Sequence, residues 1–236
     1  MIWLGIDTSN TPLSVAIVKD GVLLSEENTS MTNNHSLRAM PAIEEVFSKV
    51  GITPSEIDAI AVSEGPGSYT GVRIGVTIAK TLAWTLKKPV FGVSSLKVLA
   101  ANGVFFNGFI CPIVDARRNN VYSGVYKYAD GELETIIEDG HYSIEYLKSL
   151  LIEFNEPILF VGKDTAMHEE FLVETFGDRA VIAPFYMNLP RASSLIHIAE
   201  QVSESEDVHS FVPEYRRIPE AEANWLKEQG KGQSHD

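Results

Sequence analysis

Apolar and polar positions along the 236-residue chain follow two periodicities that recur in one order. Residues 2 to 6 are an apolar run that meets a polar stretch at Asp7 and predict a strand. SVAIVKDGVLLSEE alternates on both sides of Asp20-Gly21 and predicts a hairpin. Apolar residues three and four apart predict a helix over 35 to 50. A strand at DAIAV, a helix over about 71 to 86 and a strand at PVFGV complete the first half. The second half repeats the order. A strand over 110 to 114 ends at Asp115, a hairpin in GVYKYADGEL turns at Asp130-Gly131, and SIEYLKSLLIEF reads as a helix. ILFVG is then a strand, 166 to 176 a helix and AVIAP a strand. Asp7 and Asp115 lie 108 positions apart and the two Asp-Gly turns 110 apart, which points to an internal duplication. SSLIHIAEQV predicts a last helix, and VPEYRRIPEAEANWLK a segment that packs back on the first half. With the boundary in ANGVFFNG, the expected division is a lobe over 1–103, a smaller lobe over 104–210 and a C-terminal segment over 211–236. The last ten residues, KEQGKGQSHD, read as disordered.

One helix stands apart. SEGPGSYTGVRIGVTIAKTLAW, residues 63 to 84, carries Gly65, Gly67, Gly71 and Gly75 in a spacing that matches neither the dinucleotide fingerprint nor the P-loop. It reads either as a loop whose amides hold an anion at a helix start or as a structural turn with Ser68 or Thr70 as N-cap. Gly71, Gly75, Ala79 and Ala83 recur every four residues and let another backbone come close. Most remaining positions are apolar, so its own domain or another protein must cover nearly all of its surface. A second face holds Arg73, Thr77, Lys80, Thr81 and Trp84 and is expected beside the 35 to 50 helix. That helix offers Leu37, Met40, Ile43 and Phe47 at three- to four-residue spacing, although some of these must face its own core. The two helices together read as a partner-binding surface; the alternative is that both cover only their own sheet.

Composition narrows the chemistry. Hydrophobic residues make up 44% and charged residues 22%, the balance of a globular protein. A net charge of -13 repels nucleic acid phosphate, so a role on RNA would be delegated to a partner. Arg216-Arg217 is a compact basic spot, too small for RNA by itself. A single cysteine, Cys111, excludes an internal disulfide and a cysteine-based zinc site. The N-terminus has no basic leader, and VFFNGFICPIV is broken by Asn107 and Gly108, so the expected location is cytoplasmic, with no membrane span. The six histidines contain no i,i+4 pair. Asp7 with Thr8 and Ser9 suits a magnesium-phosphate site or an ordinary Asx turn, and nothing resembling a phosphotransfer base accompanies it. Asp115-Ala116-Arg117-Arg118 suits an anion or, preferably, an internal Asp/Arg pair closing a turn. His35-Ser36 reads as a helix start rather than a nucleophile with its base.

The duplicated order, with an aspartate after each first strand, is similar to the actin-like ATPases, in which those turns flank a nucleotide between two lobes. LGIDTS, HSLRAMPAI, GPGSYTGVRIG, PVFGVSSL, DARRNNVY and PEYRRIPEA together resemble the TsaB (YeaZ) family of bacterial tRNA threonylcarbamoyladenosine biosynthesis over nearly the full chain. The resemblance implies an α/β, duplicated actin-like (ASKHA, ribonuclease H-like) fold with two lobes. It also implies a non-catalytic subunit, with no catalytic, cofactor or metal residues of its own, that binds, stabilises and activates TsaD. TsaD transfers threonylcarbamoyl to adenosine 37 of tRNAs reading ANN codons. The ATPase TsaE would join through the complex, tRNA would be met only there, and the chain alone would form a homodimer. TsaD-like proteins carry an H-x-E-x-H metal motif just after the strand equivalent to PVFGV; here Ser95, Lys97 and Leu99 hold the three key positions and cannot rebuild that site. The alternatives are an actin-like ATPase or kinase with a nucleotide between the lobes, and a metallopeptidase-like enzyme.

Overall fold

The computed structural model describes residues 1–30 and 35–215. Expectations placed on 216–236, the Arg216-Arg217 spot and the disordered tail among them, lie outside the described residues. The first half folds as β1 (Ile2–Asp7), β2 (Leu13–Lys19), β3 (Val22–Thr29), α1 (His35–Val50), β4 (Ala59–Gly65), α2 (Tyr69–Leu86) and β5 (Val90–Ser94). Its strands lie in the order β3-β2-β1-β4-β5, antiparallel from β3 to β1 and parallel from β1 to β5. Parallel neighbours need long crossovers, which α1 and α2 supply. Asp20 and Gly21 both take left-handed backbone, φ 49° and 76°, the geometry of a tight hairpin turn that follows strand twist. Alternation divides the sheet's two faces. Leu4, Ile6, Val15, Ile17, Ile60 and Val62 share one core with the buried sides of α1 and α2. Trp3, Ala16, Val18, Ala61 and Val93 belong to a second core on the opposite face.

After α3 (Ser95–Ala100) come β6 (Phe109–Pro112), β7 (Val114–Asp115), β8 (Asn120–Ala129), β9 (Glu132–Ser143), α4 (Ile144–Leu151), β10 (Ile158–Val161), α5 (Glu169–Phe176), β11 (Ala180–Ile182) and α6 (Ala192–Ala199). The second sheet reads β9-β8-β6-β10-β11, with the short β7 also paired to β8, so its main path repeats the first sheet strand for strand. The chain therefore has a duplicated, two-lobed actin-like α/β fold. The helix expected from Ser143 stops at Leu151, and Phe154 beyond it stacks on Phe109 with ring centroids 4.1 Å apart. The helix expected over 166 to 176 is a 3-10 turn at Lys163–Met167 followed by α5.

The expected division of the chain needs one correction. α6, assigned by sequence to the second lobe, packs on the first sheet, where Ala192, Leu195, Ile196, Ile198 and Ala199 fill the core beside Trp3 and Ala61. Its N-terminal amides are met from that sheet: Ala192 N–H donates to Ser14 Oγ at 2.8 Å and Ser193 N–H to Glu26 Oε1 at 2.9 Å. Beyond α6 the chain runs along β5 and α2 as a strap. Glu206 N–H donates to Val90 O at 2.8 Å, Phe211 enters the core under α2, and Glu214 N–H donates to Glu64 O at 2.7 Å. α3 sits between the lobes, giving Val98 to the first lobe's core and Leu96, Leu99 and Ala100 to the second's.

Candidate functional site: a closed β1 turn and an exposed helix face

Two places test the functional readings. The first is the turn after β1. Asp7 has no exposed surface; its Oδ1 accepts from Ser9 N–H at 2.9 Å and Ser9 Oγ at 2.7 Å, and its Oδ2 from Ser63 Oγ at 2.6 Å. Burial raises its carboxyl above the usual range of an aspartate, against the opposing pull of those hydrogen bonds. The Asx-turn geometry spends the carboxylate inside the protein, so these residues do not fit a magnesium-nucleotide ligand set.

The glycine turn lies directly against this element. Ser68 N–H donates to Ser9 O at 2.7 Å and Thr8 Oγ1 to Gly71 O at 2.7 Å. A Cβ on Gly67 would stand 2.2 Å from Ser9 O, and one on Gly71 2.2 Å from Thr8 O. The small-residue face therefore brings α2 onto the β1 turn backbone to backbone, and Ser68 caps the helix by accepting from Gly71 N–H at 3.3 Å.

Asp115 closes its turn differently from the expected Asp/Arg pair. Its Oδ1 accepts from the backbone N–H of Arg117 at 2.9 Å, and Arg117, Arg118 and Asn119 all take left-handed backbone, φ 66°, 55° and 57°. Asn120 Nδ2 donates to the carbonyls of Arg117 and Arg118 at 3.2 and 3.1 Å and so holds the loop. His35 opens α1 with Nε2 2.7 Å from Asn10 O. At the place of the metal motif, Ser95 donates to Pro66 O at 2.6 Å and Leu99 lies in the second lobe's core.

The second place is the outer surface of α1 and α2. Leu37, Met40 and Trp84 are 73%, 49% and 67% exposed, and Arg73, Thr77 and Thr81 lie open beside them on α2. Ile43 and Phe47, expected on this surface, are only 3% and 5% exposed and pack into their own core with Ala39, Ala42 and Val46. The i, i+3, i+4 pattern of α1 is spent on its own sheet, leaving Leu37 and Met40 outside it. Lys80 is half-buried and donates to His209 O at 3.3 Å and to Phe211 O, so it fastens the strap. Tyr69, not singled out from sequence although it stands inside GSYTG, adds an exposed ring. Arg73 lies 4.7 Å over that ring, and Tyr215 packs 5.0 Å from it. Among the described residues no helix is long and apolar enough to cross a membrane.

A family model described as "TsaD: tRNA N6-adenosine threonylcarbamoyltransferase" matches residues 23–225. The tRNA threonylcarbamoyladenosine biosynthesis protein TsaB of Bacillus subtilis is 43% identical over 229 residues, 97% of this chain and 100% of that protein. TsaB of Escherichia coli is 35% identical over 126 residues, 52% of this chain and 54% of that protein. The solved structure of YeaZ from Pseudomonas aeruginosa superposes with a TM-score of 0.77 at 25% identity, covering 91% of this chain and 99% of that one.

Proposed function

The chain belongs to the TsaB family of tRNA threonylcarbamoyladenosine biosynthesis proteins, and from that membership we propose that it is a non-catalytic subunit which binds TsaD through the exposed face of α1 and α2. The observation that carries this reading is the open apolar and small-polar surface of Leu37, Met40, Thr77 and Trp84 on two helices whose inner faces are already packed. The match to the TsaD-type model supports pairing between related lobes, in which each subunit contributes two helices to a four-helix contact. The same argument gives a homodimer when TsaD is absent. Asp7, spent on Ser9 and Ser63, supports the absence of phosphotransfer chemistry in this subunit. In this reading the protein stabilises and activates TsaD in the cytoplasm, with TsaE and tRNA met through the complex.

Thr77→Arg tests the assignment. Thr77 is exposed, so the variant keeps the fold, with a melting temperature within about 1 °C of the parent. At the centre of a packed contact, the buried charge costs several kcal/mol and weakens TsaD binding about a hundredfold or more. Normal TsaD affinity measured by calorimetry for the folded variant refutes this face as the interface.

A further inference from the structure

We propose that the second lobe is a positioning element for α2, acting through Tyr126, Asp139, Ser94 and Ser95. The inference rests on the reading of α2 as the partner-binding helix and adds a role for residues remote from its exposed face.

The turn that launches α2 is conformationally loose by composition: Gly65 takes φ 115° and Gly67 follows Pro66. Beside the backbone contacts of Gly67 and Gly71, its direction is therefore set by hydrogen bonds from outside the turn. One comes from the first lobe, where Ser68 N–H donates to Ser9 O at 2.7 Å. The other comes from the interlobe helix, where the buried Ser95 Oγ donates to Pro66 O at 2.6 Å.

Ser95 is held in turn by the second lobe. Its neighbour Ser94 ends β5 opposite Gly65, and its Oγ accepts from Lys97 N–H at 3.1 Å, capping α3. The same hydroxyl donates to Asp139 Oδ2 of β9, and the buried Tyr126 hydroxyl of β8 donates to Asp139 Oδ1. Burial first, and then the charge of Asp139, hold the Tyr126 phenol well above its usual range, so it remains a donor at neutral pH. Two adjacent serines thus face opposite ways, one to the second lobe's carboxylate and the other to the launch turn. α3, sharing its apolar residues between both lobes, keeps the pair in place.

Asp139→Asn keeps the shape and replaces one acceptor by a donor, while Tyr126→Phe removes one donor and serves if the first variant fails to fold. Hydrogen exchange on the free protein reads the link, and calorimetry with cognate TsaD reads its consequence. Exchange of the amides at 67–72 and 94–97 is expected to speed up about tenfold, and TsaD affinity to fall about tenfold. Ser95→Ala is expected to give the same loss of affinity without faster exchange in β8 and β9. Faster exchange confined to β8 and β9 overturns the inference. Normal TsaD binding by Asp139→Asn or Tyr126→Phe beside lost binding by Thr77→Arg overturns it and leaves the partner face standing. Normal binding by all of them overturns both.

Discussion

Replacing Gly71 by alanine sets two effects of opposite sign against each other. Inside a helix the change ordinarily stabilises by up to about 1 kcal/mol, because alanine loses less backbone freedom. In this protein the added Cβ would lie 2.2 Å from the Thr8 carbonyl oxygen, more than 1 Å inside ordinary contact, and the obstacle is backbone rather than a movable side chain. Relief requires α2 to lift from the β1 turn. That motion breaks the bonds from Thr8 Oγ1 to Gly71 O and from Ser68 N–H to Ser9 O, both 2.7 Å, at about 1 kcal/mol or more each. Overpacking adds roughly 1–3 kcal/mol. The clash wins by about 2–4 kcal/mol, which for a chain of this size lowers the melting temperature by roughly 5–15 °C. Urea unfolding followed by circular dichroism should show the midpoint falling with an unchanged slope. A melting temperature equal to or above that of the parent refutes the backbone-contact account and leaves helix propensity as the governing term.

Three further outcomes follow from burial and charge. Ile43→Glu places a carboxylate in the core under α1 and should collapse the thermal transition, whereas Met40→Glu on the exposed side shifts it by no more than about 2 °C; a folded Ile43→Glu protein contradicts the burial of that face. Because the fold raises the Asp7 pKa above its ordinary 3.8, the parent gains stability as pH falls through the raised value, and this gain is complete near pH 3.8. Asp7→Asn should lack that gain when urea titrations at pH 7 are compared with titrations near pH 3.8, and keep reconstituted tRNA modification within a few-fold; lost modification with TsaD binding intact places chemistry at Asp7. Burial pushes the Cys111 thiol up to about 12, so a disulfide reagent at pH 8 should label the native protein only as fast as it unfolds; labelling within seconds contradicts this.

The strands and their order were legible because alternation and Asp-Gly turns are local signals, and the duplication converted one lobe's pattern into the other's. The place of α6 was not legible. Its apolar face suits either sheet, and the choice depends on Ser14 and Glu26, residues 178 and 167 positions away from their amide partners, reaching its first turn. Periodicity on α1 locates an apolar stripe but not which residues lie at its edge, so it does not separate Ile43 and Phe47, which face the core, from Leu37 and Met40, which are exposed. The glycines of α2 signalled a close approach without naming its partner. The carbonyls of Thr8 and Ser9, about sixty residues earlier, carry no side-chain signature. Lys80 illustrates the same limit, since its bonds run to backbone atoms of the strap.

The position of α6 also sets an order of events during synthesis. The first sheet has all its strands once Ser94 has left the ribosome, yet the face bearing Trp3, Ala16, Ala61 and Val93 has only Val98 and Ala101 from the α3 region against it until the residues from Ala192 onward are made. At roughly 5–20 residues per second, that face waits on the order of 5–20 seconds for its covering helix, while the whole second lobe is made in between. Until α6 is made, the nascent first lobe is therefore a half-covered sheet with an adhesive underside. Chains cut short before α6 would be poor folders and good chaperone clients, whatever the integrity of the five strands they contain.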